Sequence, residues 1–138
     1  MSQENVELLE GLVAAGGTMD RDALLAALPE LIPQFCDPEI EWVEDPTRLD
    51  ARVYRGHDGV RASWERWLEG FDEYGAEVDA LEDHGDRVFM AAREYGRGTA
   101  SSADVSSHIY VICTFREGKV LRYQEFYDEQ DARAALGA

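Results

Sequence analysis

Hydrophobic positions along this chain change their spacing three times. Near the start, Val6, Leu9 and Val13 recur at helical intervals, widened by Leu8 and Leu12, with Ser2 placed to cap the helix and Gly16-Gly17 to stop it. A second helical stretch opens at Asp20 and carries Leu24, Leu25, Leu28, Leu31, Ile32 and Phe35. Pro29 and Pro33 remove amide donors inside it, which predicts a break or kink near Leu28. The period then drops to two. Residues 39–44 alternate as Glu-Ile-Glu-Trp-Val-Glu, a strand that Asp45-Pro46 ends. After a polar loop and Val53-Tyr54-Arg55-Gly56, the apolar positions Val60, Trp64, Trp67, Leu68 and Phe71 predict a third, strongly amphipathic helix, with Arg61 and Glu65 spaced to pair on its wet side.

The rest reads as strands. Residues 76–83 and 87–97 form two, and residues 104–128 form a hairpin around the polar turn Arg116-Glu117-Gly118-Lys119. In the second arm of the hairpin Leu121, Tyr123, Glu125 and Tyr127 share one face, and Val120, Arg122, Gln124 and Phe126 the other. A carboxylate among aromatics predicts a sheet that lines a pocket as well as a core. Residues 131–136 close the chain with a helical turn. Helices first and an antiparallel meander last make an α+β layout, and 138 residues suit one domain over 1–138 with a single substantial core.

Charge narrows the partners. Twenty-nine acidic against 13 basic residues give a net charge of −16, which argues against nucleic acid and anionic membranes as partners. No stretch approaches the ~20 apolar residues of a membrane span, and the acidic start lacks the build of a signal peptide, so a cytoplasmic location is expected. Cys36 and Cys113 have no CxxC context and read as buried free thiols. His57, His84 and His108 are scattered without HxxxH or HExxH spacing, so no metal is expected. Gly96-Arg97-Gly98 is too short for a phosphate loop, and no GxSxG occurs.

The start Ser-Gln-Glu-Asn-Val-Glu, the strand Ile-Glu-Trp, the run Tyr54-Arg55-Gly56-His57-Asp58-Gly59-Val60, and the segment from Arg116-Glu117-Gly118-Lys119-Val120 through Tyr127-Asp128 resemble the SnoaL-like branch of the nuclear transport factor 2 and ketosteroid isomerase superfamily. The resemblance implies a cone: a strongly curved mixed or antiparallel sheet closed by three helices around an apolar cavity (the cystatin-like α+β barrel). It implies a small-molecule ligand, homodimerisation, and members ranging from isomerases, cyclases, dehydratases and epoxide hydrolases to proteins without chemistry. Val43-Glu44-Asp45-Pro46 looks like the strand end on which ketosteroid isomerases carry a general base, which places Asp45 in that role. Their oxyanion-hole tyrosine has no equivalent on the first helix here, and their second donor falls at about Val111. Arg93-Glu94-Tyr95 lacks the Arg-x-Asp arrangement of the epoxide hydrolases.

By the same resemblance the face of Phe89, Ala91, Arg93 and Tyr95 is concave, so Arg93 and Glu125 are expected to meet inside the cone as an ion pair or a polar handle for a ligand. Trp42, Tyr54, Trp64, Trp67, Phe71, Tyr95, Tyr123 and Tyr127 are expected to line the pocket. The function expected is binding of an apolar, carbonyl- or ring-bearing small molecule, with isomerase- or cyclase-type carboxylate acid/base chemistry at a site of Asp45, Arg93 and Glu125, in which Asp45 is the base, Arg93 or a tyrosine such as Tyr54 or Tyr123 polarises the carbonyl, and no cofactor is needed. The alternative is a non-catalytic ligand-binding or dimerisation module. Val120, Gln124 and Phe126, with His108 and Tyr110, place apolar surface outside the cone and motivate the homodimer.

Overall fold

The computed structural model describes residues 5–7, 9–10, 19–98 and 104–137. Residues 5–7 and 9–10 are helical, while the expected cap Ser2 and stop Gly16-Gly17 lie outside the described residues. The two-residue strand β1 (Met19–Asp20) leads into helix α1 (Arg21–Phe35), strand β2 (Cys36–Val43) and the short strand β3 (Val53–Arg55). Helix α2 (Gly56–Leu68) follows, then the long strands β4 (Phe71–His84), β5 (Arg87–Gly98), β6 (Asp104–Arg116) and β7 (Lys119–Phe126), and helix α3 (Glu129–Leu136). They make one sheet in the order β1-β4-β5-β6-β7-β2-β3, which curls without closing. Neighbours are antiparallel except β2 and β7, whose parallel pairing sets Trp42 opposite Tyr123.

Local chemistry explains the corners. Between β6 and β7, Glu117 and Gly118 both have positive φ (52° and 77°), the two-residue mirror-image turn that matches strand twist. Asp128 caps α3 by accepting hydrogen bonds from the amides of Gln130 (2.7 Å) and Asp131 (3.3 Å). Gly96 leaves room on β5 for the ring of Phe71, which a Cβ there would overlap.

The sheet carries a core on each face. Inside the curl, Val88, Met90 and Ala92 of β5, Ile109, Val111 and Cys113 of β6, and Ile40 and Trp42 of β2 pack under Leu24, Leu28 and Ile32 of α1 and Val60 and Leu68 of α2. Outside, Phe89, Ile112 and Phe126 are covered by Ala132 and Leu136 of α3. Arg133 fastens that helix, donating to both carboxyl oxygens of Glu82 (2.6 and 2.7 Å) with its guanidinium 4.0 Å above the Phe89 ring.

Four expectations are corrected. Helix α1 runs unbroken from Arg21 to Phe35 with Pro29 and Pro33 inside it. Both prolines lie on its exposed side, where water can serve carbonyls that lose their amide partners, while Leu24, Leu28, Ile32 and Phe35 bury the other side. Phe71 begins β4 rather than ending α2, because Glu69-Gly70 turns the chain first. On β5 the concave face is that of Val88, Met90, Ala92 and Glu94, so Arg93 and Tyr95 point outward. Val120 lies inside the curl, since a pairing irregularity between Thr114 and Phe115 breaks the alternation of the hairpin. Of the residues expected to present apolar surface outside the cone, Val120 is inside and Phe126 is under α3, while Tyr110 and Gln124 are half-buried and His108 is exposed. No helix among the described residues is long and apolar enough to cross a membrane.

Candidate functional site

Among the described residues, two adjoining chambers lie within the cone. The larger, about 130 Å³, is almost wholly apolar. Leu24, Leu28, Leu31 and Ile32 of α1 form one wall, Met90 and Ala92 of β5 another, and Trp42, Trp64, Tyr74 and Tyr123 the aromatic remainder. The smaller, about 30 Å³, is polar and lies among Glu44, Arg48, Ser63, Trp67, Glu94 and Glu125. Trp42, Trp64 and Tyr123 border both, so a molecule seated against them can reach either.

Strand geometry delivers the two carboxyls. Glu94 follows Val88, Met90 and Ala92 in alternation, and β5 therefore turns it into the cone. Tyr123 and Glu125 are delivered likewise by β7. Glu94 is 8% exposed, and its Oε2 accepts a hydrogen bond from the hydroxyl of Tyr74, a residue of the apolar chamber. Its Oε1 has no partner within the protein, and the same holds for Oε1 of Glu125 and Nε1 of Trp67. Among the described residues these three are the buried side-chain polar atoms left unpartnered, and all three residues line the polar chamber. Native structures seldom leave such atoms unserved, so their convergence marks a place for a polar guest.

Burial dominates the electrostatics. It pushes the Glu125 carboxyl up to about 7, helped by the nearby charge of Glu94 and opposed by Arg48 and the Tyr127 hydroxyl. Burial raises Glu94 too, against the Tyr74 hydrogen bond and Arg48. Tyr74 and Tyr123 are held well above the usual phenol range by burial and by these carboxyls, so both remain neutral donors. Arg48 is the cation nearest the pair. Its guanidinium donates to Glu44 (3.0 Å) and lies 5.7 Å from the centre of the Trp67 ring. Glu44 in turn accepts from the Arg52 amide (3.0 Å) and pairs with Arg66 (3.5 Å), which holds the loop after β2 against the chamber.

The expected site residues divide accordingly. Trp42, Trp64, Trp67, Tyr123 and Glu125 line the chambers, and Tyr127 packs beside them. Tyr54 accepts a hydrogen bond from Arg66 (3.1 Å) and packs against the core outside either chamber. Phe71 packs on Trp67 and over Gly96. Arg93 is on the outer face, 41% exposed, paired with Glu77 (2.8 Å) and Asp79 (3.1 Å), and Tyr95 shares that face beside Glu77. The expected Arg93–Glu125 contact is therefore absent, with the sheet between them.

Asp45 is 1% exposed and fully engaged. Its Oδ1 accepts from the amide and hydroxyl of Thr47 (2.6 Å each), and its Oδ2 from the amide of Tyr127 (2.6 Å). Burial alone would raise its pKa, but these hydrogen bonds and Arg48 carry it below the usual value. A carboxylate so occupied and so buried ties the loop to the end of β7 rather than facing either chamber. Glu94 and Arg48 are the additions that residue patterns did not single out. For Glu94 the signal was the alternation Val88, Met90, Ala92, Glu94, competing with an equally apolar Phe89, Ala91; for Arg48, in a polar loop, there was none.

Among the described residues no group of histidine, cysteine, aspartate and glutamate could hold a metal ion. The sequence matches the family model of the SnoaL-like domain over residues 12–123. No curated protein matches it. Solved structures share its fold at low identity. A candidate SnoaL-like polyketide cyclase from Jannaschia sp. CCS1 is 19% identical, with 99% of this chain and 94% of that one covered and a TM-score of 0.75. The candidate hydroxylase AclR from Streptomyces galilaeus is 19% identical (99% and 98% covered, TM-score 0.70). A protein of ketosteroid isomerase-like fold from Catenulispora acidiphila, in complex with trimethylamine, is 14% identical (95% and 92% covered, TM-score 0.69).

Proposed function

The chain belongs to the SnoaL-like domain family, and from that footing we propose that it is an enzyme moving a proton on an apolar, ring-bearing carbonyl compound. The observation that carries this is the pair Glu94 and Glu125, each with a buried unpartnered oxygen, at the polar end of an apolar chamber. Glu125, poised near neutrality, is the proton carrier. Its carboxylate takes the proton from the carbon beside the carbonyl, the C–H electrons form the carbon–carbon double bond of an enolate, and charge gathers on the oxygen. Trp67 Nε1–H donates to that oxygen and the Arg48 guanidinium supplies positive charge nearby. The proton, now on Glu125, returns to another carbon of the conjugated system. Burial, and after it the charge of Glu94 held by Tyr74, keeps the Glu125 pKa high.

Incubation with a panel of ring ketones in D₂O, followed by NMR, tests the reading. The protein should exchange the protons beside the carbonyl faster than buffer, and Glu125→Gln should lose roughly 100-fold or more of that rate. Exchange that persists in Glu125→Gln overturns the assignment. A ketone that binds without exchanging would instead make the cone a non-catalytic ligand-binding module.

A further inference from the structure

We infer that the ligand is an uncharged molecule with a single six-membered ring and one small polar group, its ring in the apolar chamber and its polar atom among Glu94, Glu125 and Trp67. The inference rests on the site proposed above but narrows the compound by size and charge, which proton transfer alone does not.

Size comes first. An apolar protein cavity of about 150 Å³ takes up benzene, so about 130 Å³ corresponds to one ring rather than to a fused system. The walls that would have to yield are α1 on one side and β5 on the other. Leu28 is 4% exposed and Ala92 2%, both already in the shared core. Interiors packed at crystal density resist such displacement. The polar chamber, about 30 Å³, has room for one or two non-hydrogen atoms. A hydroxyl or carbonyl fits, whereas a phosphate does not.

Charge comes next. An anion would meet two glutamates whose carboxyls already resist ionising, with Arg48 committed to Glu44. An ammonium group could donate to both unpartnered carboxyl oxygens but would leave the buried Trp67 N–H without an acceptor, beside the Arg48 cation. A neutral oxygen serves all three. It accepts from Trp67 and from whichever glutamate holds a proton, and as a hydroxyl or enol it donates to the other.

Calorimetric titration at pH 7 with four probes tests this: cyclohex-2-enone, cyclohexanecarboxylate, cyclohexylammonium and the three-ring ketone anthrone. Cyclohexenone should bind, with the two charged probes and anthrone at least tenfold weaker. Leu28→Ala, which enlarges the apolar chamber, should raise the affinity for the two-ring ketone 1-tetralone relative to cyclohexenone by tenfold or more. The wild-type series decides the matter if that variant does not fold. Anthrone or a charged probe binding as tightly as cyclohexenone overturns the inference, and so does failure of cyclohexenone to bind. The two readings fail separately. Selective binding of cyclohexenone without proton exchange removes the catalytic proposal and keeps this one. Glu125-dependent exchange on a fused-ring ketone does the reverse.

Discussion

Trp42 and Tyr123 lie face to face, ring centres 3.6 Å apart and planes 5° from parallel, across the parallel junction of β2 and β7. Trp64 leans on the same stack from α2, its ring centre 6.2 Å from that of Trp42. The three rings are the shared border of the apolar and polar chambers, and packing there sets both stability and the shape of the site. Replacing Trp42 by alanine should cost about 3–5 kcal/mol, because the gap adjoins space that side chains cannot collapse into. Urea denaturation measures it. Coinciding midpoints for variant and wild type would place Trp42 outside the core.

Glu125 predicts an unusual pH dependence. Its folded pKa, about 7, stands above the ordinary 4.5, so between those values the folded chain holds a proton that the unfolded chain has released. Stability should therefore fall as pH rises from about 4.5 to about 7, by up to about 3 kcal/mol at the upper end. Glu125→Gln should flatten that slope and be the more stable protein at pH 8. Parallel curves for the two proteins across this window would refute the raised pKa.

Asp45 predicts the opposite slope at lower pH. Its folded pKa lies below the ordinary 3.8, so its contribution is complete above that value and drains away as pH falls through the folded one. Asp45→Asn keeps the shape but places an amide N–H against amide donors of Thr47 or Tyr127. About 2–4 kcal/mol of stability should go with it, several hydrogen bonds to a charged acceptor being lost at once. Ketone exchange measured below the unfolding transition should survive. Exchange abolished in a folded Asp45→Asn would return Asp45 to the chemistry.

Arg93 offers the sharpest check on which way β5 faces. Its partners Glu77 and Asp79 are on the outside and solvated, so Arg93→Met should leave the urea midpoint nearly where it is. The midpoint of Glu125, followed by carboxyl-carbon NMR, should stay where it is. A shift of that midpoint would put the guanidinium back inside the cone.

These four positions show what patterning can and cannot read. The β6–β7 hairpin was legible because Glu117-Gly118 can adopt only a narrow set of turns, and that turn aims Tyr123, Glu125 and Tyr127 inward together. The aromatic residues of α2 were legible for a similar reason, since helical spacing leaves them one face to share. On β5 both faces are apolar for the first half of the strand. Phe89 and Ala91 serve a second core under α3 that nothing local announces, so alternation gave two equal answers and comparison with relatives selected the wrong one. Glu94 was hidden by the same ambiguity. Arg48 comes from a loop whose shape depends on Glu44 and Asp45, contacts that no periodicity encodes. At Pro29 and Pro33 the local rule was overridden by tertiary burial of the opposite helix face.

The parallel seam between β2 and β7 has a consequence for how the chain acquires its shape. It joins Cys36 to Val120 and Val43 to Gln124, residues some eighty positions apart, and among the described residues no other strand pairing brings the first half of the chain against the last strand. Such distant contacts are entropically late, forming only after the local hairpins have shortened the effective loop. During synthesis the Trp42–Tyr123 stack and the meeting of Glu94 with Glu125 must therefore await nearly the whole polypeptide. Until β7 emerges, Trp42 and the apolar side of α1 have no finished wall to rest against. The chambers are thus a property of the completed chain, and shortened versions ending before β7 would inherit its sticky surfaces without its site.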